Sequence, residues 1–276
     1  MILGVLAGFT ACNDAIEIDQ PGRLDADAAF QSVGDLRDGL FGVYDQVDIS
    51  PDIHFNAIFT DELSIGTPDF NGGQGLQEYG FVLNAGTASS EVFWENGYDW
   101  LNAANRLIEA AEELPQEDID EDPDLYNQIL GEAFFLRAWG HFYLLSYYST
   151  SYTDENALSI INLDFVPTID QQLLRNTVGE TFALIEDDLT RAESLVTEDN
   201  GVTRINRDVI TALEARIAAY RQDYGTVATL SQQLIDKYPL ANRAEYEAMF
   251  LDNSDGEVIF KLERTNNDSY DGQGAT

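Results

Sequence analysis

The sequence predicts an all-α protein built from paired antiparallel helices. Apolar residues recur at three- and four-residue steps along most of the chain, which is the period of one face of a helix. Two of the predicted helices are separated only by the turn at 223–225, and so short a turn makes them an antiparallel pair. Such pairs are the structural unit of an α-solenoid.

The first helix is predicted over 27–48, where seven apolar residues share one face: Phe30, Val33, Leu36, Leu40, Val43, Tyr44 and Val47. Prolines and glycines then interrupt the pattern, and residues 50–92 are expected to form a long irregular segment. Long loops in compact proteins are commonly functional or disordered.

The second helix is predicted over 90–114, where Pro115 ends it, and an acidic loop over 116–124 follows. Residues 125–148 are apolar on nearly every side, which indicates a helix buried at the centre of the fold. A membrane span is the competing interpretation, but Glu132, Arg137 and His141 would be expensive to place in hydrocarbon.

The most distinct helix start is at Thr177, which forms a capping box with Glu180 and precedes apolar residues up to Val196. Two further helices are predicted, over 206–222 and 225–238, the second ending before Pro239. No strict repeat is present, so the chain is tetratricopeptide-like in its helical pattern only.

The composition favours a globular protein with an acidic surface. The 276 residues are 44% hydrophobic, and 50 Asp and Glu face 14 Lys and Arg, for a net charge of −36. A field of this sign repels nucleic acids and acidic polysaccharides, so neither is expected as a partner.

The start of the chain resembles a lipoprotein signal. An apolar run over 1–11 is too short to span a bilayer and leads through small residues to Cys12, the only cysteine. We predict a signal segment over 1–12, lipidation of Cys12, an acidic tether over 13–26 and a helical domain over 27–276. A buried or incidental cysteine is the alternative.

Candidate ligand-binding residues lie within the glycine-rich stretch 66–81. Sugar rings stack on flat apolar faces, and sugar hydroxyls pair with amides and carboxylates. This stretch offers both kinds of group: Asp69, Phe70, Asn71, Gln74 and Tyr79. The alternative is a surface loop without a ligand.

Other aromatic and polar residues are expected to serve the core. Trp94, Tyr98 and Trp100 follow helical spacing, which favours core packing over a stacking platform. Asn105 and Arg137 lie in helices that should be buried, where each is expected to pair with protein groups and not with a ligand.

Catalysis finds little support in the sequence, and we expect no enzymatic activity, cofactor or metal. Asp61 and Glu62 are one adjacent acidic pair among many, and His54 and His141 are too few for a histidine cluster. The acidic run 117–122 lacks the spacing of a dedicated calcium loop.

Three stretches together resemble the SusD/RagB family of outer-membrane lipoproteins. They are Ala11–Asp14 with the first predicted helix; 94–105 followed by 131–143; and 185–189 with 212–216 and 256–260. The resemblance implies a tetratricopeptide-like helical solenoid with long irregular loops, and an anchor in the outer membrane facing the cell surface. It also implies an oligosaccharide or other nutrient as ligand, delivered to a SusC-like TonB-dependent transporter.

Members of that family are longer, and their ligand surface draws on loops that would follow Thr276, so this chain is expected to be an N-terminal part. Two other functions remain open. A helical-repeat scaffold would bind proteins and no sugar, and a surface glycosidase would release products from a polysaccharide.

Overall fold

A computed structural model of the protein describes residues 29–60, 62–63, 76–84, 86–197, 200–251 and 253–263. Within these ranges the regular structure is helical, apart from one antiparallel bridge between Leu158 and Thr177. The helices are α1 (Val33–Gln46), α2 (Ser50–Phe59), α3 (Leu76–Tyr79), α4 (Ala88–Glu113), α5 (Gln116–Ile119), α6 (Pro123–Tyr148), α7 (Val178–Leu195), α8 (Arg207–Tyr220), α9 (Tyr224–Lys237) and α10 (Arg243–Met249). The predicted all-α fold is confirmed.

Helix α6 lies at the centre of the fold. It packs against α7, α4 and α1, and nearly all of its side chains between Gln128 and Leu145 are buried. This burial explains why the sequence shows no polar face there, and the prediction of a central helix is confirmed. Among the described residues, no helix is both long and apolar enough to cross a bilayer.

Glycines let α4 and α6 approach closely. A Cβ atom added at Gly97 of α4 would lie 2.5 Å from Leu144 Cδ2, and one added at Gly140 of α6 would lie 2.9 Å from Leu101 Cδ2. Neither distance is possible between real carbon atoms, so the two helices meet at this spacing because both positions lack a side chain.

Several helices start at capping signals in the sequence. Thr177 accepts from the backbone N–H of Glu180 at 3.2 Å, and Glu180 accepts in return from the N–H of Thr177 at 2.8 Å. The predicted capping box is therefore confirmed. Asn206 caps α8, and a tight turn with Gln222 in the left-handed region (φ 63°) joins α8 to α9.

The prediction of an irregular segment over 50–92 is wrong for α2 and for the four-residue helix α3. Pro51 stands in the first turn of α2, where a missing N–H costs nothing, so it starts this helix instead of breaking it. Phe55 and Phe59, one helical turn apart, stack with their ring centroids 5.1 Å from each other.

One further boundary and two short helices differ from the sequence prediction. The first helix begins at Val33, because the side chain of Ser32 caps it. The acidic loop contains α5, and α10 was not predicted, although Asn242 and Glu245 form a capping box at its start. Short helices such as these give too few turns for an apolar period to be visible.

The segment between α6 and α7 has little regular structure, but helix side chains hold its backbone. The hydroxyl of Tyr98 donates to the carbonyl of Ile161 at 2.9 Å and accepts from the N–H of the same residue at 2.8 Å. Asn105 donates to the carbonyls of Leu163 and Phe165 at 2.9 and 3.0 Å. These bonds fix the segment against α4.

Candidate functional site

Most of the site residues predicted from the sequence lie outside the described residues. These are Asp69, Phe70, Asn71 and Gln74, and Cys12 with the signal segment 1–12 and the tether 13–26. Tyr79 is described; it is the last residue of α3, is partly exposed, and lies two residues before an exposed phenylalanine.

A row of aromatic rings runs from the surface beside α3 into the core. Its members are Phe81, Phe59, Phe55, Phe93 and Tyr147, and we call it the aromatic row. Successive ring centroids lie 5.3 Å apart between Phe81 and Phe59, 5.1 Å between Phe59 and Phe55, 5.3 Å between Phe55 and Phe93, and 4.7 Å between Phe93 and Tyr147. Each ring thereby supports the next.

The outer end of the aromatic row is exposed to solvent. The side chain of Phe81 is 53% exposed, and Val82 and Leu83 beside it are exposed as well. Phe81 also has a backbone φ of 53°, in the left-handed region that bulky residues rarely adopt. An exposed ring held in a strained conformation is a feature found at binding sites.

Polar groups accompany the rings along one face of α2. Asp52, Phe55, Asn56 and Phe59 are spaced at three and four residues and therefore share a face. Asn56 is exposed, and its Nδ2 donates to Asp52 Oδ1 at 2.7 Å and to the Tyr147 hydroxyl at 3.3 Å. Burial raises the pKa of Asp52, although Asn56 and Arg216 act in the opposite direction.

The signal for this face in the sequence is weak. Phe55 and Phe59 are visible as an i, i+4 pair, but Pro51 and the glycines downstream favoured a loop. The ring of Phe93 was assigned to no predicted face. Trp100 is buried, and Trp94 and Tyr98 are partly buried against the core, so the preference for core packing over a platform is confirmed.

A groove lies at the other end of α2, where α1 turns into α2. Its volume is about 630 Å³. It is lined by Asp48, Ile49, Ser50, Phe135, Trp139, Val209, Ala212, Leu213, Arg216, Glu257, Ile259, Phe260, Lys261 and Leu262. A cavity of this size with an apolar floor and a few charged groups suits a small organic ligand or part of a larger one.

A buried ion pair fixes the helices beneath the site. Arg137 of α6 donates from Nε and Nη2 to the two carboxylate oxygens of Asp188 at 2.8 and 2.6 Å. Its Nη1 donates to Asn105 Oδ1 at 3.0 Å and to the carbonyl of Asp164 at 3.2 Å. The sequence prediction that Asn105 and Arg137 pair inside the protein is confirmed, and this network joins α4, α6 and α7.

His141 is buried one turn after Arg137 and is held neutral. Its Nε2 accepts from the N–H of Leu163 at 3.1 Å, so the proton must sit on Nδ1, which lies 3.0 Å from the carbonyl of Arg137. Burial, and secondly the charge of Arg137, lowers the pKa of His141 to about 3. A histidine held in this way is structural.

A second buried carboxylate joins α1 to α6 and to the start of α8. Glu132 is fully buried and accepts from Arg204 at 2.7 and 2.8 Å and from Gln128 at 2.8 Å. The hydroxyl of Tyr44 also donates to it. Because Tyr44 lies on α1, this cluster positions the turn from α1 to α2 and with it the edge of the groove.

One arrangement used in catalysis, a metal cluster, is not found in the part of the chain that the structure describes. No three side chains of His, Cys, Asp or Glu come together there in a way that suits a metal ion. Of the acidic pair considered from the sequence, Glu62 is exposed and Asp61 lies outside the described residues.

The comparison with protein families decides the assignment. Residues 71–219, more than half of the chain, match the SusD-like_3 family, described as "Starch-binding associating with outer membrane". The chain belongs to the SusD-like family. The family resemblance found in the sequence is thereby confirmed, and it rests on the region that contains α3 to α8.

Solved structures agree with this SusD-like fold. A protein from Bacteroides vulgatus described as a "Putative sugar binding protein" has a TM-score of 0.70 and 21% identity, over 87% of this chain and 56% of its own. A SusD superfamily protein from Bacteroides fragilis has a TM-score of 0.71 and 18% identity, over 87% of this chain and 57% of its own. The tetratricopeptide-like helical architecture is confirmed.

A laminarin binding SusD-like protein is also similar, with a TM-score of 0.64 and 16% identity over 80% of this chain and 49% of its own. No curated protein sequence matches the chain. The chain spans about half of the length of these solved relatives.

Proposed function

We propose that this SusD-like chain binds neutral glycans at a bacterial outer membrane and passes them to a SusC-like TonB-dependent transporter. The observation that carries the proposal is the aromatic row, which ends on one side at the exposed ring of Phe81 and on the other at Tyr147, where the exposed Asn56 of α2 donates to the hydroxyl and to Asp52. Flat apolar faces next to amides and carboxylates are the groups that recognise sugars. Family membership and the sugar-binding relatives support the same function.

The net charge of −36 favours neutral glycans over acidic ones. Carboxylated or sulfated polysaccharides approach such a protein against its own field. Binding requires no chemistry, so we propose a binding protein and not a glycosidase. Incubation of the protein with laminarin or starch is expected to release no reducing ends, and steady release would support the glycosidase instead.

The experiment that tests glycan binding is affinity electrophoresis with laminarin, starch, xylan and galactomannan. The wild type is expected to be retarded by at least one of them. Phe81→Ala should weaken this binding about fivefold, since one aromatic stacking contact is worth on the order of 1 kcal/mol. Wild-type migration unchanged by all four polysaccharides would contradict the proposed function.

Phe250→Ala is the matched control. Phe250 is also an exposed phenylalanine, at 75%, but it follows α10 and packs only on Tyr246 among the described rings. Its replacement should leave binding unchanged. The same assay with Phe70→Ala and Tyr79→Ala tests whether the predicted stretch 66–81 contributes to the site.

The anchor and the transporter are tested separately. We propose lipidation of Cys12, so incorporation of labelled palmitate should be lost in Cys12→Ala. The proposed partner is a TonB-dependent barrel, which should copurify with the wild-type protein from detergent extracts of the native cells. Unchanged labelling of Cys12→Ala would refute the lipid anchor.

A protein-binding scaffold is the second candidate, favoured by the exposed apolar residues of the last helices. Tyr224, Leu240, Phe250 and Leu251 are each at least 68% exposed. Large apolar side chains, aromatic ones above all, are enriched at protein interfaces. If Phe250→Ala abolishes copurification of a partner while the wild type binds no glycan, the scaffold is the better description.

A further inference from the structure

The groove and the aromatic row lie at opposite ends of the same helix. The groove includes Ser50, the first residue of α2, and the aromatic row includes Phe59, the last. A helix of ten residues is about 15 Å long. That distance exceeds the length of a disaccharide and is comparable with a short oligosaccharide.

Polar groups lie along α2 between the two ends. Arg216 lines the groove and lies close enough to Asp52 to lower the pKa of its carboxyl. Asp52 accepts from Asn56, and Asn56 also donates to the hydroxyl of Tyr147 in the aromatic row. Hydrogen-bonding groups therefore accompany α2 from the groove to the rings.

The groove itself has the composition of a sugar subsite. Trp139 is partly exposed there, with Phe260 edge-on to it at a centroid distance of 6.0 Å. Asp48 and Arg216 supply an acceptor and donors beside this apolar floor. The guanidinium of Arg216 is exposed and has no carboxylate within 4.0 Å among the described residues, so its donors can reach a ligand.

A buried hydroxyl without a partner lies near the same junction. Tyr143 is 8% exposed, and its hydroxyl has no hydrogen-bond partner among the described residues. Burial raises the pKa of Tyr143, and the nearby carboxylates Asp52 and Asp48 add to the effect. An unsatisfied buried hydroxyl costs free energy, but Tyr143 does not line the groove, so this cost belongs to the core beside the groove and not to the subsite.

We infer that the groove is a second saccharide subsite, joined to the aromatic row along α2, so that the protein binds one neutral oligosaccharide across both ends of this helix. The inference rests on the proposed function and adds to it a preference for ligand length. Two subsites joined by one ligand bind more tightly than either alone, because the second contact is intramolecular.

The test is isothermal titration calorimetry with two pairs of probes, laminaribiose with laminarihexaose and maltose with maltohexaose. If the electrophoresis identifies another polysaccharide, its disaccharide and hexasaccharide take their place. The hexasaccharide should bind at least about tenfold more tightly than the disaccharide. Arg216→Gln should weaken the binding of the hexasaccharide about tenfold and that of the disaccharide less than about twofold. The substitution removes a charged hydrogen bond in the groove, which only the longer ligand reaches from the aromatic row.

Arg106→Gln is the matched control. Arg106 is likewise exposed and has no ion pair among the described residues, but it lies on α4 and does not line the groove. Its replacement should leave the affinities for the disaccharide and for the hexasaccharide unchanged. Phe81→Ala should weaken the binding of both.

The outcomes separate the two proposals. Equal affinity for both lengths, with sensitivity to Phe81→Ala and none to Arg216→Gln, would overturn the second subsite and leave glycan binding intact. Absence of binding by every probe and polysaccharide would overturn the proposed function and the second subsite together.

Discussion

Replacing Asp188 by asparagine should be among the most destabilising single substitutions in the described part of the protein. The side chains of Arg137 and Asp188 are 5% and 0% exposed, and both carboxylate oxygens accept from the guanidinium. The substitution would keep the shape of the side chain and remove its charge. A buried guanidinium would then remain with only Asn105 and the carbonyl of Asp164 as further acceptors.

Breaking a buried pair by removing one partner costs about 3–5 kcal/mol. We therefore expect Asp188→Asn to lower the free energy of unfolding by this amount, measured by urea denaturation with tryptophan fluorescence. The double variant Arg137→Met with Asp188→Leu should recover much of the loss, because it removes the uncompensated charge.

The control is the exposed pair of Arg243 and Glu247, whose side chains are 92% and 62% exposed. Glu247→Gln should change stability by less than about 0.5 kcal/mol. A loss below about 1 kcal/mol for Asp188→Asn would refute the reasoning, since the guanidinium would then have to be solvated in the folded protein.

Two further predictions concern stability. The pKa of His141 is about 3 in the folded protein. As the pH falls below the ordinary pKa of histidine, about 6.5, the imidazole is therefore protonated in the unfolded chain but stays neutral in the folded protein. Stability should therefore fall by about 2 kcal/mol more in the wild type than in His141→Gln between about pH 7.5 and 5, and equal losses in urea titrations would contradict this. Gly97→Ala should cost about 1–3 kcal/mol by pressing on Leu144, whereas Gly42→Ala, on α1 with nothing within 4 Å, should gain up to about 1 kcal/mol in thermal denaturation.

Long helices with a clear face or a clear cap could be predicted from the sequence, and α2 could not. Thr177 and Glu180 act within one turn, so the start of α7 is encoded locally. The first turn of α2 contains Pro51, which is equally typical of a helix start and of a loop, and packing of Phe55 on Phe93 decides between them. That contact joins residues far apart in the chain.

The candidate site was harder to predict than the fold for the same reason. Tyr79 was found from local composition, but its neighbour Phe81 gains its role from contact with Phe59 and from its own backbone conformation. In the sequence, Arg216 is notable only as the last residue of the stretch 212–216 that resembles the SusD/RagB family. Its place in the groove with Asp48 and Ser50 depends on how α8 and the start of α2 line the same cavity, which no spacing in the sequence reveals.

The double hydrogen bond between Tyr98 and Ile161 has a consequence for how this fold can change. A strand takes its register from a neighbouring strand, and both can shift together while their peptide groups stay paired. The backbone at Ile161 is instead held by one phenol on α4, and that at Leu163 by an imidazole on α6 and an amide on α4. Insertions into this segment must therefore fall outside these anchor points, so that the backbone at 161–163 keeps its place against α4 and α6 while the rest of the segment changes in length.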